Sequence, residues 1–134
     1  MYYIDSNTYI YFDKNESQAL TSKFLSIDST SIKIPSMVVA ELRYGVEKSA
    51  KRDFNSERLE RFISRYEIVP FDDNATKCYA EIRTILEKRG EIIGANDLVI
   101  AATVLSNGGT LITRNVKEFS RVKDLKTESW YEDR

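Results

Sequence analysis

A chain of 134 residues with 42% apolar and 31% charged side chains has the balance of one soluble globular domain, able to bury about two-thirds of the surface its unfolded form exposes. Its 20 basic and 21 acidic residues leave a net charge of −1, which argues against a protein that coats nucleic acid by charge alone. It contains no histidine. That removes Ser-His-Asp and Cys-His nucleophilic sites, imidazole acid–base pairs and histidine-bound zinc, and leaves a hydrolase with carboxylates and a hard metal ion.

In chain order, Tyr2-Tyr3-Ile4 predicts a short apolar strand, and the polar cluster Asp5-Ser6-Asn7-Thr8 behind it suits the cap of a helix. Gln18–Ser26 predicts a second short helix. Ile32, Lys33 and Ile34 predict a strand closed by Pro35, with Ser36 capping a helix that runs through Glu47. Leu59, Phe62, Ile63 and Tyr66 fall at i, i+3, i+4 and i+7, the stripe of one buried helix face. Glu67-Ile68-Val69 predicts a strand stopped by Pro70. Asp72 or Asp73 then starts a helix ending near Gly90, whose stripe Ala75, Cys78, Tyr79, Ile82, Ile85 and Leu86 faces the core. Cys78, the single cysteine, is thereby read as core and rules out an intrachain disulfide.

The stretch GANDLVIAA, residues 94–102, opens an apolar helix that stops at Asn107-Gly108-Gly109. A strand over residues 110–113 and a last one near residues 126–129 complete the pattern. Short strands alternating with helices give an α/β fold with a mostly parallel sheet, in which ligands collect at the carboxyl ends of the strands. No apolar run approaches the ~20 residues of a membrane span, and Met1-Tyr2-Tyr3-Ile4-Asp5 lacks the basic start of a signal peptide. The expected location is the cytoplasm. Basic residues gather in two segments: seven against four acids in residues 43–65, and five against two in residues 114–126, so each is +3. Such runs are ordinarily the solvated face of a helix.

Four carboxylates stand out. Asp5 directly follows the first strand, where it either caps the next turn or faces the ligand edge of the sheet. Glu41 has Met37, Val38, Tyr44 and Gly45 as its helix-face neighbours, none of them basic, so it needs a partner or a route to solvent. Asp97 opens an apolar helix, where an acid suits the cap and the helix dipole. Glu118 follows the 110–113 strand by one turn and reaches the same edge, unless it is an ordinary surface residue. Carboxylates gathered there repel and raise each other's pKa until a cation neutralises them, and an all-oxygen set suits Mg²⁺ or Mn²⁺. On this reading Asp97 caps its helix and binds the metal together.

The stretches YIDSNTYIYF, IPSMVVAELRYGVEKS, IIGANDLVIAATVLSNGGTLITRNVKEFSRVKDL and ESW resemble the PIN-domain ribonucleases, and among them the VapC-type toxins of bacterial and archaeal toxin–antitoxin pairs. The resemblance runs nearly from end to end. It implies a single three-layer α/β/α domain over residues 1–134, with a central sheet of four to five strands. It also implies a Mg²⁺- or Mn²⁺-dependent endoribonuclease acting as a toxin and cleaving structured RNA, such as tRNA anticodon stem-loops or ribosomal RNA loops. The family's first acid falls on Asp5, its helix glutamate on Glu41 and its third acid on Asp97, with Asp5 and Asp97 as metal ligands. Asn115 stands where many members carry a fourth acid, which shifts that role to Glu118. Asn7, Thr113 and Asn115 match polar positions of the pocket. A VapB-type antitoxin, whose tail enters the active-site groove, and a homodimer are the implied partners. Arg43 and Arg114 are the candidate RNA contacts, with Tyr11, Phe12 and Tyr44 as candidate stacking rings.

Two other functions fit less well. An aspartyl-phosphate-type phosphatase requires a second aspartate two residues after Asp5, where Asn7 stands. A non-catalytic PIN-like RNA-binding module does not require Asp5, Glu41 and Asp97 together.

Overall fold

In a computed structural model, which describes residues 1–131, five short strands form one parallel sheet. They are β1 (Tyr2–Ile4), β2 (Ile32–Pro35), β3 (Glu67–Val69), β4 (Thr110–Ile112) and β5 (Lys126–Glu128), in the order β3-β2-β1-β4-β5. The expected domain over 1–134 includes residues 132–134, which lie outside the described residues. Parallel neighbours cannot be joined by a tight hairpin, so helices fill every crossover. These are α1 (Ser6–Asp13), α2 (Gln18–Ser26), α3 (Ser36–Glu47), α4 (Arg52–Ile63), α5 (Asp73–Arg89), α6 (Ala95–Ser106) and the short α7 (Val116–Phe119).

From β1 the chain steps outward to β2 and β3, then crosses back to β4 and β5 on the other side of β1. Right-handed crossovers running in opposite directions place their helices on opposite faces, which gives the three α/β/α layers. The reversal falls between β1 and β4, paired Tyr3 to Leu111 and Ile4 to Ile112. At such a switch point the crossovers diverge and leave a crevice at the carboxyl ends of the strands. The residues that leave these two strands are Asp5 and Thr113.

Central strands sheathed on both faces carry apolar side chains in both directions, and Ile4, Ile34, Leu111 and Ile112 are fully buried. Helix α6 is apolar nearly all round, with Ile100, Ala101, Ala102 and Val104 inside, so it lies in the interior. It ends on Gly108, whose φ of +69° lets the N–H groups of Gly108 and Gly109 return to the carbonyls of Leu105 and Val104. Gly109 then passes the ring of Tyr3 so closely that a Cβ would sit 2.2 Å from it, so β4 can enter the sheet beside β1 only as glycine.

Several boundaries differ from the sequence reading. Ser36 does not cap α3: Pro35 is the last extended residue and takes the cap position without a side-chain bond. Asp97 is likewise the third residue of α6, behind the cap residue Gly94. Thr113 and Ser129 lie just past β4 and β5, and Tyr66 lies past the end of α4. Within the α5 stripe Ala75, Ile82 and Leu86 are buried and Cys78 and Tyr79 half-buried, whereas Ile85 is 46% exposed. Asp72, not Asp73, caps α5, accepting from the N–H of Ala75 at 3.0 Å.

Candidate active site

Asp5 is both a helix cap and a member of the ligand edge. Leaving β1 in extended conformation, it accepts the N–H of Thr8 at 2.9 Å and the Thr8 hydroxyl at 2.6 Å, both on Oδ1. The Thr113 hydroxyl, from the end of β4, donates to the same carboxylate. Only 8% exposed, Asp5 is pushed above the usual carboxylate range by burial; its three donors pull it back, and Glu41 pushes it up further.

Among the described residues Asp97 has no such donors. Its carboxyl is pushed up to about 7, first by burial and then by Glu118, which accepts a hydrogen bond from its protonated form, with Glu41 and Asp5 adding to the repulsion. Glu118 is held beside it at the start of α7: the side-chain amide of Asn115 donates to Oε2, and the N–H of Gly94 reaches Oε1 at 3.4 Å. Asn115 thus orients Glu118. The first-turn position of Asp97 still meets the positive end of α6, but the expected cap hydrogen bond is absent.

Glu41 finds the partners its apolar helix face demanded. Oε1 accepts from the Ser6 hydroxyl at 2.6 Å and Oε2 from the side-chain amide of Asn96 at 3.2 Å, so α1 and α6 hold it from two sides. Beside it, Glu41, Gly94, Ala95, Asn96 and Asp97 line an open depression of about 350 Å³. Asn7 sits exposed in the first turn of α1 and makes no side-chain hydrogen bond among the described residues. Of the two arginines singled out from sequence, Arg114 emerges directly behind Thr113, with its Nη1 3.0 Å from the Tyr11 hydroxyl. Arg43 lies two residues past Glu41, on a different face of α3, and is forked onto Glu60 of α4 at 2.8 and 3.1 Å.

Among the described residues no three Asp, Glu, His or Cys side chains are arranged to cage a metal ion as they stand. A hard divalent ion does not need a closed cage, because Mg²⁺ binds through one or two carboxylates and keeps several waters. All the donors are oxygens, and the raised Asp97 carboxyl marks a surplus of negative charge that a divalent cation would relieve. The residues fit such an ion, with Asp5 and Asp97 as the two that would hold it. Sequence reasoning passed over Ser6, Thr8 and Asn96. Thr8 was legible as the residue three after a cap; Ser6 and Asn96 carry no local signal, because their partner Glu41 is 35 and 55 residues away.

A family model for the PIN domain matches residues 2–125. The chain is 41% identical over 131 residues to Ribonuclease VapC2 of Rickettsia felis, covering 97% of this chain and 98% of that one. It is 33% identical over 127 residues to the tRNA(fMet)-specific endonuclease VapC of Salmonella typhimurium, covering 95% and 96%. The solved structure of VapBC2 from Rickettsia felis bound to a DNA fragment from their promoter superposes with a TM-score of 0.90 at 39% identity, over 96% of this chain and 98% of that chain. An acid-lined switch point, a five-stranded parallel sheet and near full-length likeness to ribonucleases agree, and the chain belongs to the PIN-domain family, among its VapC-type ribonucleases.

Proposed function

We propose that this VapC-type ribonuclease is a Mg²⁺- or Mn²⁺-dependent endonuclease that cuts a structured RNA loop, in tRNA or ribosomal RNA, and so blocks translation as the toxin of a toxin–antitoxin pair. The observation that carries the metal dependence is the convergence of Asp5, Glu41, Asp97 and Glu118 from four elements, with Asp97 raised to about 7 by burial and then by its acidic neighbours. Asp5 and Asp97 would hold the ion, which would lower the pKa of a water and brace the phosphoryl oxygens electrostatically. Glu41, oriented by Ser6 and Asn96, lies where it can accept a proton from an attacking water. Glu118 accepts a hydrogen bond from protonated Asp97 in the ion-free site, and Asn115 and Gly94 keep it in place.

A loop substrate follows from the physics of access, since unpaired bases can be splayed out toward a shallow acidic depression. The Salmonella relative, named for tRNA(fMet), supports a tRNA loop as the substrate class. A VapB-type antitoxin is the proposed partner, supported by the VapBC complexes among the similar structures, and a homodimer and a cytoplasmic location go with it. No helix among the described residues is long and apolar enough to cross a membrane.

Purified protein incubated with total tRNA and ribosomal RNA should cut in Mg²⁺ or Mn²⁺ and stop in EDTA, and sequencing the new 5′ ends gives the site. Undiminished cleavage in EDTA by a preparation free of other nucleases would sink the metal dependence. Cleavage spread evenly over single-stranded RNA would sink the loop substrate.

A further inference from the structure

The turn from β4 into α7 aims its side chains two ways. Thr113 points inward: its hydroxyl donates to Asp5 and accepts from the N–H of Asn115 at 2.9 Å. Arg114 points outward to two tyrosines. Its guanidinium carbon lies 5.4 Å from the ring centre of Tyr11 and 5.7 Å from that of Tyr131, and the rings meet edge to face with centroids 5.3 Å apart. The Tyr131 hydroxyl donates to Thr8 Oγ1 at 3.2 Å, and Thr8 Oγ1 donates to Asp5 at 2.6 Å. One tyrosine therefore fastens both a cation and an active-site carboxylate.

The arginine is poorly explained as part of the scaffold. It is exposed and, among the described residues, forms no ion pair; one of its five N–H donors goes to Tyr11 and the others are left for a ligand. Two aromatic faces restrict its rotamers, so much of the entropy of ordering a long side chain is lost before any ligand arrives. An ordered guanidinium edge suits the oxygens of a phosphate, which it can meet with two parallel N–H bonds. A phosphate chain approaching four carboxylates is repelled, and a fixed cation on the rim opposes that repulsion at close range.

We propose that Tyr11, Arg114 and Tyr131 form a phosphate-binding subsite for the RNA strand beside the carboxylates, and that Tyr131 is also a positioning residue holding Asp5 through Thr8. The subsite rests on the ribonuclease reading, and its two roles separate by experiment. Binding is measured first, with a labelled single-stranded RNA oligonucleotide and full-length protein carrying Asp97→Asn so that no cleavage is needed. Adding Arg114→Gln removes a charge-assisted contact and should weaken binding roughly 10-fold or more, with the log–log salt slope flatter by about 0.7. Arg114→Lys keeps the charge but not the fork and should recover the slope and only part of the affinity.

Cleavage is measured second, in the otherwise wild-type chain. Tyr131→Phe keeps the ring against Arg114 and deletes the donor to Thr8, so kcat should fall severalfold while KM stays. Thermal melting of each variant within a few degrees of its parent shows that the fold is intact. Unchanged affinity and slope in Arg114→Gln overturn the subsite, also if that variant binds a protein partner more weakly instead. An unchanged kcat in Tyr131→Phe overturns the positioning role. A wild type that cuts no RNA, with binding still dependent on Arg114, would fell the ribonuclease reading and leave the subsite standing.

Discussion

Asp5 and Asp97 lie at the same edge of the sheet, each in the first turn region of a helix, yet they are treated oppositely. Asp5 receives two hydroxyls and a backbone N–H, which stabilise its charge although it is nearly buried. Asp97 is driven to about 7, first by burial and then by the Glu118 carboxylate that its protonated form bonds. Asp5 is thus built into the scaffold as well as the site. Asp97 carries a local repulsion that, on the proposed function, a bound cation would relieve. The contrast separates a site carboxylate that also caps a helix from one with no such cap bond among the described residues.

The largest effects should fall on catalysis. Asp97→Asn removes an ion ligand, so cleavage should drop by more than about 100-fold, beyond the range for groups that merely orient a ligand. Its ion-free form should nevertheless gain on the order of 1 kcal/mol, because the repulsion goes and nothing else is unpaired. Asp5→Ala should also lose activity, but it should destabilise the ion-free fold by about 1–2 kcal/mol through the missing cap and the lost acceptor of the Thr113 hydroxyl, while the Thr8 hydroxyl keeps the Ile112 carbonyl at 3.2 Å. Melting both variants in EDTA checks this directly. Two shifts of the same sign would abolish the distinction.

Next in size is the response to the ion itself. A cation bound only by the folded state at 100 times its dissociation constant stabilises that state by about 2.7 kcal/mol. Wild-type protein should therefore melt several degrees higher in excess Mg²⁺ than in EDTA, and Asp97→Asn should gain much less. An equal gain by both would assign the ion to some other site and return Asp97 to the role of a helix-end acid.

How far this contrast was legible in the sequence depended on which physical cue each residue carried. Asp5, Glu41, Asp97 and Glu118 were singled out because each follows a strand, sits on an apolar helix face or opens an apolar helix, cues that need only local periodicity. The five strands were found for the same reason. The caps were misread at Ser36 and Asp97, because residue type does not say where the backbone turns from extended to helical; Pro35 and Gly94 make that turn. Of the donors to Asp5, Thr8 was legible as a cap partner and Thr113 as a pocket position through the resemblance, but the long-range pairings themselves were out of reach. Thr113 arrives on β4, the Asn96 partner of Glu41 on α6, and Tyr131 bonds Thr8 across 123 residues. Such pairs exist only once the topology has brought three crossovers to one switch point.

The pH dependence sharpens the comparison further. Asp97 has a folded pKa raised from 3.8 to about 7, so its folded form is favoured when protonated, and stability is lost as pH rises between those values. Asp5 shifts in the same direction. Glu47 and Glu60 shift downward beside their arginines, so their contribution is already complete above about pH 5. With no histidine in the chain, no imidazole obscures the interval. In EDTA the wild type should melt higher at pH 5 than at pH 7.5, by roughly 3–5 °C for a difference near 1 kcal/mol. Asp97→Asn should flatten that slope, and saturating Mg²⁺ should remove it, since a site holding the ion would be deprotonated across that range, as the unfolded chain is. A wild-type profile that is flat or rising in EDTA would contradict the strain assigned to Asp97.

The smallest effect is expected at Arg43, which stands to Arg114 as Asp5 stands to Asp97. Arg43 is satisfied: its fork closes on Glu60, with the two side chains 52% and 47% exposed. An exposed pair of this kind contributes about 0.2–1 kcal/mol, and the arginine has few donors left for a phosphate. Arg43→Ala should thus lower the melting temperature by no more than a few degrees and leave the salt slope of RNA binding nearly unchanged. Arg114→Gln should do the reverse, with little effect on melting and a flatter slope. Because the 43–65 segment still carries Lys48, Lys51 and Arg65 without an ion pair among the described residues, the whole face cannot be dismissed by one substitution. If Arg43→Ala flattens the slope as much as Arg114→Gln, RNA runs along α3 and α4 as well as past the β4 turn, and an arginine already paired in the free protein exchanges Glu60 for phosphate on binding.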